Sequence, residues 1–364
     1  MNGDGLQVIL ISKMIKAVSL FSSAGVGEAY LEEIGIDIVL ANELHPKRCK
    51  LYKHLYPNCN MIEGDIRDND VKQKLLDNIK GDEKVLIATP PCQGVSTLGK
   101  NKNQNSFISD KRNYLIFDAT DIIDRKDFDF VLIENVARFK DMYFPYKGKY
   151  MHIFDVFKDM YGKRYFIEEQ LLNAKDFGVA QTRPRYIIKM YKHGKKWPST
   201  KKDKEITLRD AIGHLPSLES GEDSGIHLHK AKIHNERDIL AMKHTHEGKS
   251  ALKNSIYFPK RKDGKPIKGF HNTYKRLEWD KPCHARTTNS GNIGSHNNVH
   301  PGRVRHDGTV SDARVLTLHE LLIVSSLPLD WDIPEWATDN FIRTCIGESV
   351  PPLMMKKIFL TLKV

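Results

Sequence analysis

Ala17-Val18-Ser19-Leu20-Phe21-Ser22-Ser23-Ala24-Gly25-Val26-Gly27 decides how the rest of the chain is read. Residues 17–21 form a short apolar run and read as a buried strand. The run breaks into a turn of small residues and glycines, with a helix expected from near Glu28. Glycine lets a ligand approach the backbone, and a helix N-terminus offers free N–H groups. The spacing is not a full Gly-x-Gly-x-x-Gly, so a plain strand-to-helix turn accounts for it equally well. The surroundings carry the reading further. Residues 37–41, 84–88 and 128–133 repeat the apolar run, and helical patterns lie between them around 46–56, 68–78 and 111–124. Strands alternating with helices imply a parallel sheet covered on both faces. Ligands of such sheets collect at the carboxyl ends of the strands.

Those ends carry unusual residues. Asn42-Glu43 closes the second run, about twenty positions after the glycine turn, where a carboxylate accepts from ribose hydroxyls. Gly64-Asp65-Ile66 closes the third; Asp65 suits an adenine amino group and Ile66 its ring. No phosphate-gripping lysine loop accompanies them, so a nucleoside without a phosphate chain fits better than ATP. The fourth run ends in Thr89-Pro90-Pro91-Cys92-Gln93-Gly94, where two prolines stiffen the backbone before a cysteine. A lone cysteine is more often a small buried hydrophobe. At a strand end behind Pro-Pro, a nucleophile is the better reading. The fifth ends in Glu134-Asn135-Val136. A glutamate there is expensive to bury unless bonded or protonated, and a protonated one can serve as an acid.

Composition bounds the class. With 364 residues, 40% hydrophobic and 28% charged, the chain is globular and sized for two domains, or one with an insertion. No run of eighteen apolar residues occurs, so no membrane span is expected, and the first residues do not read as a secretory signal. Five cysteines without Cys-x-x-Cys spacing argue against a disulfide scaffold and for a reducing, cytoplasmic setting. No metal site is expected, although eleven of the sixteen histidines fall between His193 and His300. Of the net charge of +11, most lies in residues 191–280, which hold 20 Lys and Arg against 12 Asp and Glu. Lys260-Arg261-Lys262-Asp263-Gly264-Lys265-Pro266-Ile267-Lys268 is its densest stretch. Such runs are usually solvated loops; the alternative is a phosphate-contacting face.

At these residues the chain resembles the DNA cytosine-5 methyltransferases, which use S-adenosylmethionine, over nearly its whole length. The family's Phe-x-Gly-x-Gly turn corresponds to Phe21 through Gly25, with Ser23 at the first glycine. Pro-Cys-Gln is Pro91-Cys92-Gln93, Glu-Asn-Val is Glu134-Asn135-Val136, and Gln-x-Arg-x-Arg is Gln181-Thr182-Arg183-Pro184-Arg185. The Arg-x-x-Thr region looks like Arg286-Thr287-Thr288. The closing Gly-Asn-(Ala/Ser)-Val-Pro looks like Gly347-Glu348-Ser349-Val350-Pro351, with Glu348 replacing asparagine.

The resemblance implies an α/β fold, a Rossmann-like S-adenosylmethionine-dependent methyltransferase sheet with a smaller target recognition domain. It divides the chain into a catalytic part, 1–190, a target recognition part, 191–285, and a remainder, 286–364, whose last helix returns to the catalytic part. It makes Cys92 the nucleophile toward carbon 6 of cytosine, and Glu134 the group that holds the ring, with Arg183 and Arg185 steadying the base. For S-adenosylmethionine it implies Phe21, Ser23, Gly25, Glu43, Leu44, Asp65 and Ile66, together with Pro91, Leu115, Glu348, Ser349 and Val350. For DNA it implies Gln93, Gly94 and Ser96 in a mobile loop, then Asn135, Gln181, Arg286 and Thr288, and the charged residues Lys260, Arg261 and Lys262. The target base must leave the helix stack to reach such a site. Double-stranded DNA is the expected partner of a monomer, with a cognate restriction endonuclease acting on the same site. A tRNA cytosine-5 methyltransferase shares Pro-Cys-Gln and Glu-Asn-Val and is the first rival. A catalytically silent DNA-binding relative is the second. An amino-methyltransferase would carry an aromatic residue at Cys92.

Overall fold

The computed structural model describes residues 14–91, 110–254 and 257–363. Among the described residues the strands are β1 (Ile15–Leu20), β2 (Ile36–Glu43), β3 (Asn60–Glu63), β4 (Val85–Ala88), β5 (Phe130–Val136), β6 (Tyr143–Tyr146), β7 (Lys149–His152), β8 (Tyr165–Asn173), β9 (Gln181–Thr182), β10 (Pro184–Lys192) and β11 (Cys283–His284). Seven of them form one sheet in the order β3-β2-β1-β4-β5-β10-β8. The first five are parallel, whereas β10 runs antiparallel to both β5 and β8. The expected parallel sheet is therefore a mixed one. Between β8 and β10 lie only ten residues, holding a 3-10 turn and β9, too few for a crossover helix.

Alternation along the central strands explains why their runs are apolar throughout. Val18, Leu20, Leu86, Ala88, Val131 and Ile133 face one core with helices Asn69–Asn78, Leu115–Arg125 and Ile153–Tyr161. Ala17, Val85, Ile87, Phe130 and Leu132 face the other with helix Pro352–Phe359. Strand order reverses between β1 and β4, which opens a crevice at their carboxyl ends.

The helix expected from Glu28 is absent. Val26–Glu28 and Glu32–Ile34 are 3-10 turns only. Gly27 and Gly35 leave a short segment between them, and Glu28 turns inward to accept from Ser19 and Tyr52. The turn is therefore not followed by an α-helix of its own.

Beyond β10, two smaller cores hold the chain. One joins Leu208, Leu277 and Trp279 to Leu321, Leu322 and Ile346, and reaches Ala24 and Leu51 in the first part. The other joins Met242, Ala251 and Tyr274 to Ile293, Val299 and Val315, so it packs residues from both sides of position 285. Two hairpins project from this region with one and the same turn. Arg261 N–H donates to Lys265 O at 2.8 Å and Gly264 N–H to Arg261 O at 3.0 Å; Arg305 to Thr309 and Gly308 to Arg305 repeat those bonds at 2.8 and 3.0 Å. Asp263 and Asp307 each accept from the backbone two residues on, and Gly264 and Gly308 both have φ of 79°.

Candidate active site

The loop carrying the candidate nucleophile leaves β4 through Thr89, Pro90 and Pro91. Thr89 donates to Phe21 O at 3.1 Å, and the Asn135 amide donates to Pro90 O at 3.2 Å. Asn135 is buried, so its amide is used to seat this loop and does not face outward. Cys92, Gln93, Gly94 and Ser96 lie outside the described residues.

On the adjacent strand end, Glu134 is buried. Its Oε1 lies 2.6 Å from Arg185 Nε, a pair almost closed to solvent. Burial pushes the Glu134 carboxyl above its ordinary value, and Arg185 and Arg183 pull it back. The pair arises from register: Arg185 stands opposite Val136 on β5, and Glu134 opposite Ile187. Gln181, Arg183 and Arg185 sit two apart on an extended segment, so their side chains share a face. All three are buried while Pro184 is exposed. Gln181 donates to Val324 O and Ser325 Oγ, both at 3.2 Å, which fastens helix Leu318–Val324. Arg183 donates to Arg286 O and Gly347 O, both at 2.9 Å. The motif thus has two separate tasks: Gln181 and Arg183 bind the second part of the chain to the sheet, and Arg185 meets the carboxylate.

At the end of β1 the backbone takes left-handed conformations at Phe21 (φ 60°), Ser23 (φ 50°) and Gly25 (φ 70°). Glycine is required at Gly25, where a Cβ would strike the rings of Tyr52 and Tyr56. Ser23 adopts its conformation at a cost on the order of 1 kcal/mol. Two bonds hold it there: Ser23 N–H donates to Glu43 Oε2 at 3.0 Å, and Ser23 Oγ donates to Glu348 Oε1 at 2.6 Å. Glu43 is buried and also accepts from His45 N–H at 2.8 Å. Asp65 is paired with Arg67 at 2.6 Å, which holds its carboxyl below the usual range; Ile66 and Leu115 are buried, and Leu44 is half exposed. Ser349 donates to Cys345 O at 2.7 Å, and Val350 is buried against the C-terminal helix. Gly347 lies on the Thr287 and Thr288 backbone so closely that any Cβ would collide with it.

The DNA candidates divide. Lys260, Arg261 and Lys262 are exposed at one hairpin tip, and Thr288 is exposed as well. Arg286 is 2% exposed; its guanidinium donates to His284 O at 2.9 Å and Asn297 O at 2.7 Å, within the protein. The Arg-x-x-Thr spacing is not met at Arg286, where Asn289 stands at the fourth position, but it is met by Arg314-Val315-Leu316-Thr317. There Arg314 grips both oxygens of Glu320 at 2.7 and 2.9 Å, and Thr317 and Glu320 cap helix Leu318–Val324 reciprocally. The Thr-x-x-Glu capping signature marks that site in the sequence. Arg48, at 2.7 Å from Glu348 Oε2 and 3.6 Å from Glu43 Oε1, is a second residue the sequence reading passed over.

A family model for the C-5 cytosine-specific DNA methylases matches residues 15–363. The Type II methyltransferase M1.HgaI of Avibacterium volantium is 43% identical over 96% of this chain and 98% of its own. M1.HphI of Haemophilus parahaemolyticus, another Type II methyltransferase, is 28% identical over 94% and 84%. Among solved structures, Spodoptera frugiperda DNMT2 (a triple mutant) superposes with a TM-score of 0.61 at 16% identity, covering 95% of this chain and 99% of that one. Entamoeba histolytica methyltransferase EhMeth does so with 0.63 at 14%, covering 96% and 98%. The structural likenesses speak for the α/β methyltransferase fold alone. The near end-to-end family match and the 43% identical relative go further: this chain belongs to the C-5 cytosine-specific DNA methylases and is a DNA (cytosine-5-)-methyltransferase.

Proposed function

We propose that the protein transfers a methyl group from S-adenosylmethionine to carbon 5 of cytosine in double-stranded DNA at a specific sequence, through base flipping and a covalent Cys92 adduct. The observation that carries this reading is the buried Glu134–Arg185 pair at 2.6 Å, beside a Pro90-Pro91 loop seated by Asn135. A buried carboxyl raised by desolvation suits a hydrogen bond to the ring nitrogen of a neutral base. The Cys92 thiolate would bond to carbon 6, the electron pair released would reach carbon 5, and carbon 5 would take the methyl as its bond to sulfur breaks and a neutral thioether leaves. Loss of the proton at carbon 5 then expels Cys92.

The residues of the crevice fit S-adenosylmethionine. The Glu43 carboxylate closes β2, the Ile66 side chain offers apolar surface, and the Phe21–Gly25 turn brings bare backbone to the ends of β1 and β4. Acidic and apolar groups with no lysine cradle suit a nucleoside without phosphates. When bound, the group supplies an electrophilic methyl on a sulfonium sulfur. Glu43 accepts from ribose, Asp65 from the adenine amine, and Pro91, Leu44 and Leu115 pack around them. Ser349 and Val350 close the opposite wall.

Duplex DNA is favoured over tRNA. The Type II relative covers 96% of this chain, whereas a Spodoptera frugiperda tRNA (cytosine(38)-C(5))-methyltransferase matches 56% at 28% identity. Residues 191–285 would read the target, with the Lys260–Lys262 tip on phosphate and Gln93, Gly94 and Ser96 closing over the base. The Type II methyltransferase relatives also suggest a cognate endonuclease for a monomeric, cytoplasmic enzyme. Among the described residues no helix is long and apolar enough to cross a membrane.

Duplex DNA bearing 5-fluorocytosine tests this reading, because fluorine at carbon 5 cannot leave as a proton does. With labelled S-adenosylmethionine, the wild type is expected to give a denaturant-resistant protein–DNA band, and Cys92→Ser none while still shifting DNA in a native gel. A wild type that labels tRNA but not duplex DNA would overturn the substrate. A band that persists in Cys92→Ser would overturn the nucleophile.

A further inference from the structure

Ser23 and Glu348 are two positions at which the chain departs from the pattern it resembles, and they touch each other. Ser23 Oγ donates to Glu348 Oε1 at 2.6 Å although the two are 325 residues apart. A serine in a left-handed conformation and a glutamate in place of asparagine are each unfavourable alone. Together, the carboxylate accepts the hydroxyl that the strained residue presents, so each departure explains the other.

Arg48 completes the arrangement. It lies in the first turn of helix Pro46–Leu55, where a cation is disfavoured by the helix dipole. That turn has no acidic residue and no side-chain cap of its own. Glu43, just ahead of the helix, and Glu348, from far along the chain, bring their carboxylates to it, Arg48 standing 3.6 Å from the first and 2.7 Å from the second. Glu43 is thereby held from two sides, by Ser23 N–H and by the Arg48 guanidinium. Burial raises the Glu348 carboxyl, and Arg48 and the Ser23 hydroxyl pull it back.

We propose that Ser23, Glu348 and Arg48 act as one unit that locks the loop after β1 and orients Glu43 for the methyl donor, with Arg48 as a positioning residue. The inference rests on the cofactor reading above. In this chain, a three-residue clasp takes over from the glycine and asparagine of the resembled pattern.

Calorimetric binding of S-adenosylhomocysteine to the full chain tests it through a double-mutant cycle. Ser23→Gly and Glu348→Asn are each expected to weaken binding about tenfold, since each leaves a partner of a charged hydrogen bond unmet. Ser23→Gly/Glu348→Asn is expected to bind no more weakly than either single variant, about tenfold below wild type, the mark of coupled residues. Arg48→Gln is expected to raise KM for S-adenosylmethionine about tenfold with kcat within about twofold, and Arg48→Lys to recover part of that loss. A structural role alone would lower melting temperature and kcat together. If the wild type binds S-adenosylhomocysteine but the double variant shows the product of the single losses, or Arg48→Gln leaves KM unchanged, the clasp is refuted while the cofactor reading stands. If the wild type binds no S-adenosylhomocysteine, the cofactor reading falls, and the clasp's role in holding the methyl donor falls with it.

Discussion

Burial raises both Glu134 and Glu28, but the two carboxyls have different partners. Glu134 meets Arg185 and Arg183; Glu28 has only hydroxyl partners, from Ser19 and Tyr52. Arg185→Ala therefore removes the closest cation from a group that must be held in place. The expected outcome is a kcat lower by about a hundredfold with little change in DNA affinity, checked by single-turnover methyl transfer beside a gel-shift titration. Burial raises Glu28 from 4.5 to about 7, against the pull of its two hydrogen bonds. The folded state thus holds its proton through a range in which the unfolded chain releases it. This contribution is fully present below pH 4.5 and is lost as pH rises to about 7. Glu28→Gln has no proton to lose, so the stability of the variant relative to wild type is expected to rise by about 3 kcal/mol across that window. Denaturant titrations at pH 5 and pH 8 check this; a constant difference would contradict it. Neither carboxyl's setting is visible in the sequence. Glu134 could be singled out because it closes an apolar strand, but Glu28 sits where a helix was expected and gives no local signal.

At the level of elements, the central strands were legible because each is apolar on both faces. β8 was not: it is an edge strand, Tyr165–Asn173, with Phe166 and Leu171 exposed, and its pattern carries no clean alternation. The direction of β10 was equally hidden, since it comes from the brevity of the connection before it. The basic run proved to be a defined hairpin. Its turn recurs at Arg305–Thr309, but there Arg305 is tied to Glu219 at 2.5 Å. Of these two tips, only the first has its cations, Lys260, Arg261 and Lys262, turned to solvent without an ion pair to an acidic residue of another element among the described residues. Replacing all three with glutamine is expected to weaken duplex binding and lower the slope of log affinity against log salt by about 3, one for each phosphate no longer neutralised. Filter binding between low and moderate salt checks it, and an unaltered slope would return the hairpin to the status of a solvated loop. The motif Gln181 to Arg185 was legible as a pattern, but its division of labour was not, because Gln181 and Arg183 reach partners more than a hundred residues away.

Across the whole molecule, the site is assembled from both ends of the chain. The Arg183 guanidinium, the Gly347 seat on Thr287 and Thr288, and the Ser23–Glu348 bond all join the sheet to the later part of the chain. Sequence order conceals this. A turn near residue 23 and a pattern near residue 348 look like separate features, and the Arg-x-x-Thr spacing falls at Arg314 rather than at Arg286. Helix Pro352–Phe359 covers Ala17, Val85 and Phe130, and the Trp197 indole donates to Ile358 O at 2.9 Å. Part of that face of the sheet therefore stays uncovered until the final helix docks. Contacts of such high order are reached only after the entropy of closing a very long loop has been met. Refolding from denaturant should accordingly end in a slow phase in which methyl-donor binding returns last, well after most of the secondary structure has been regained.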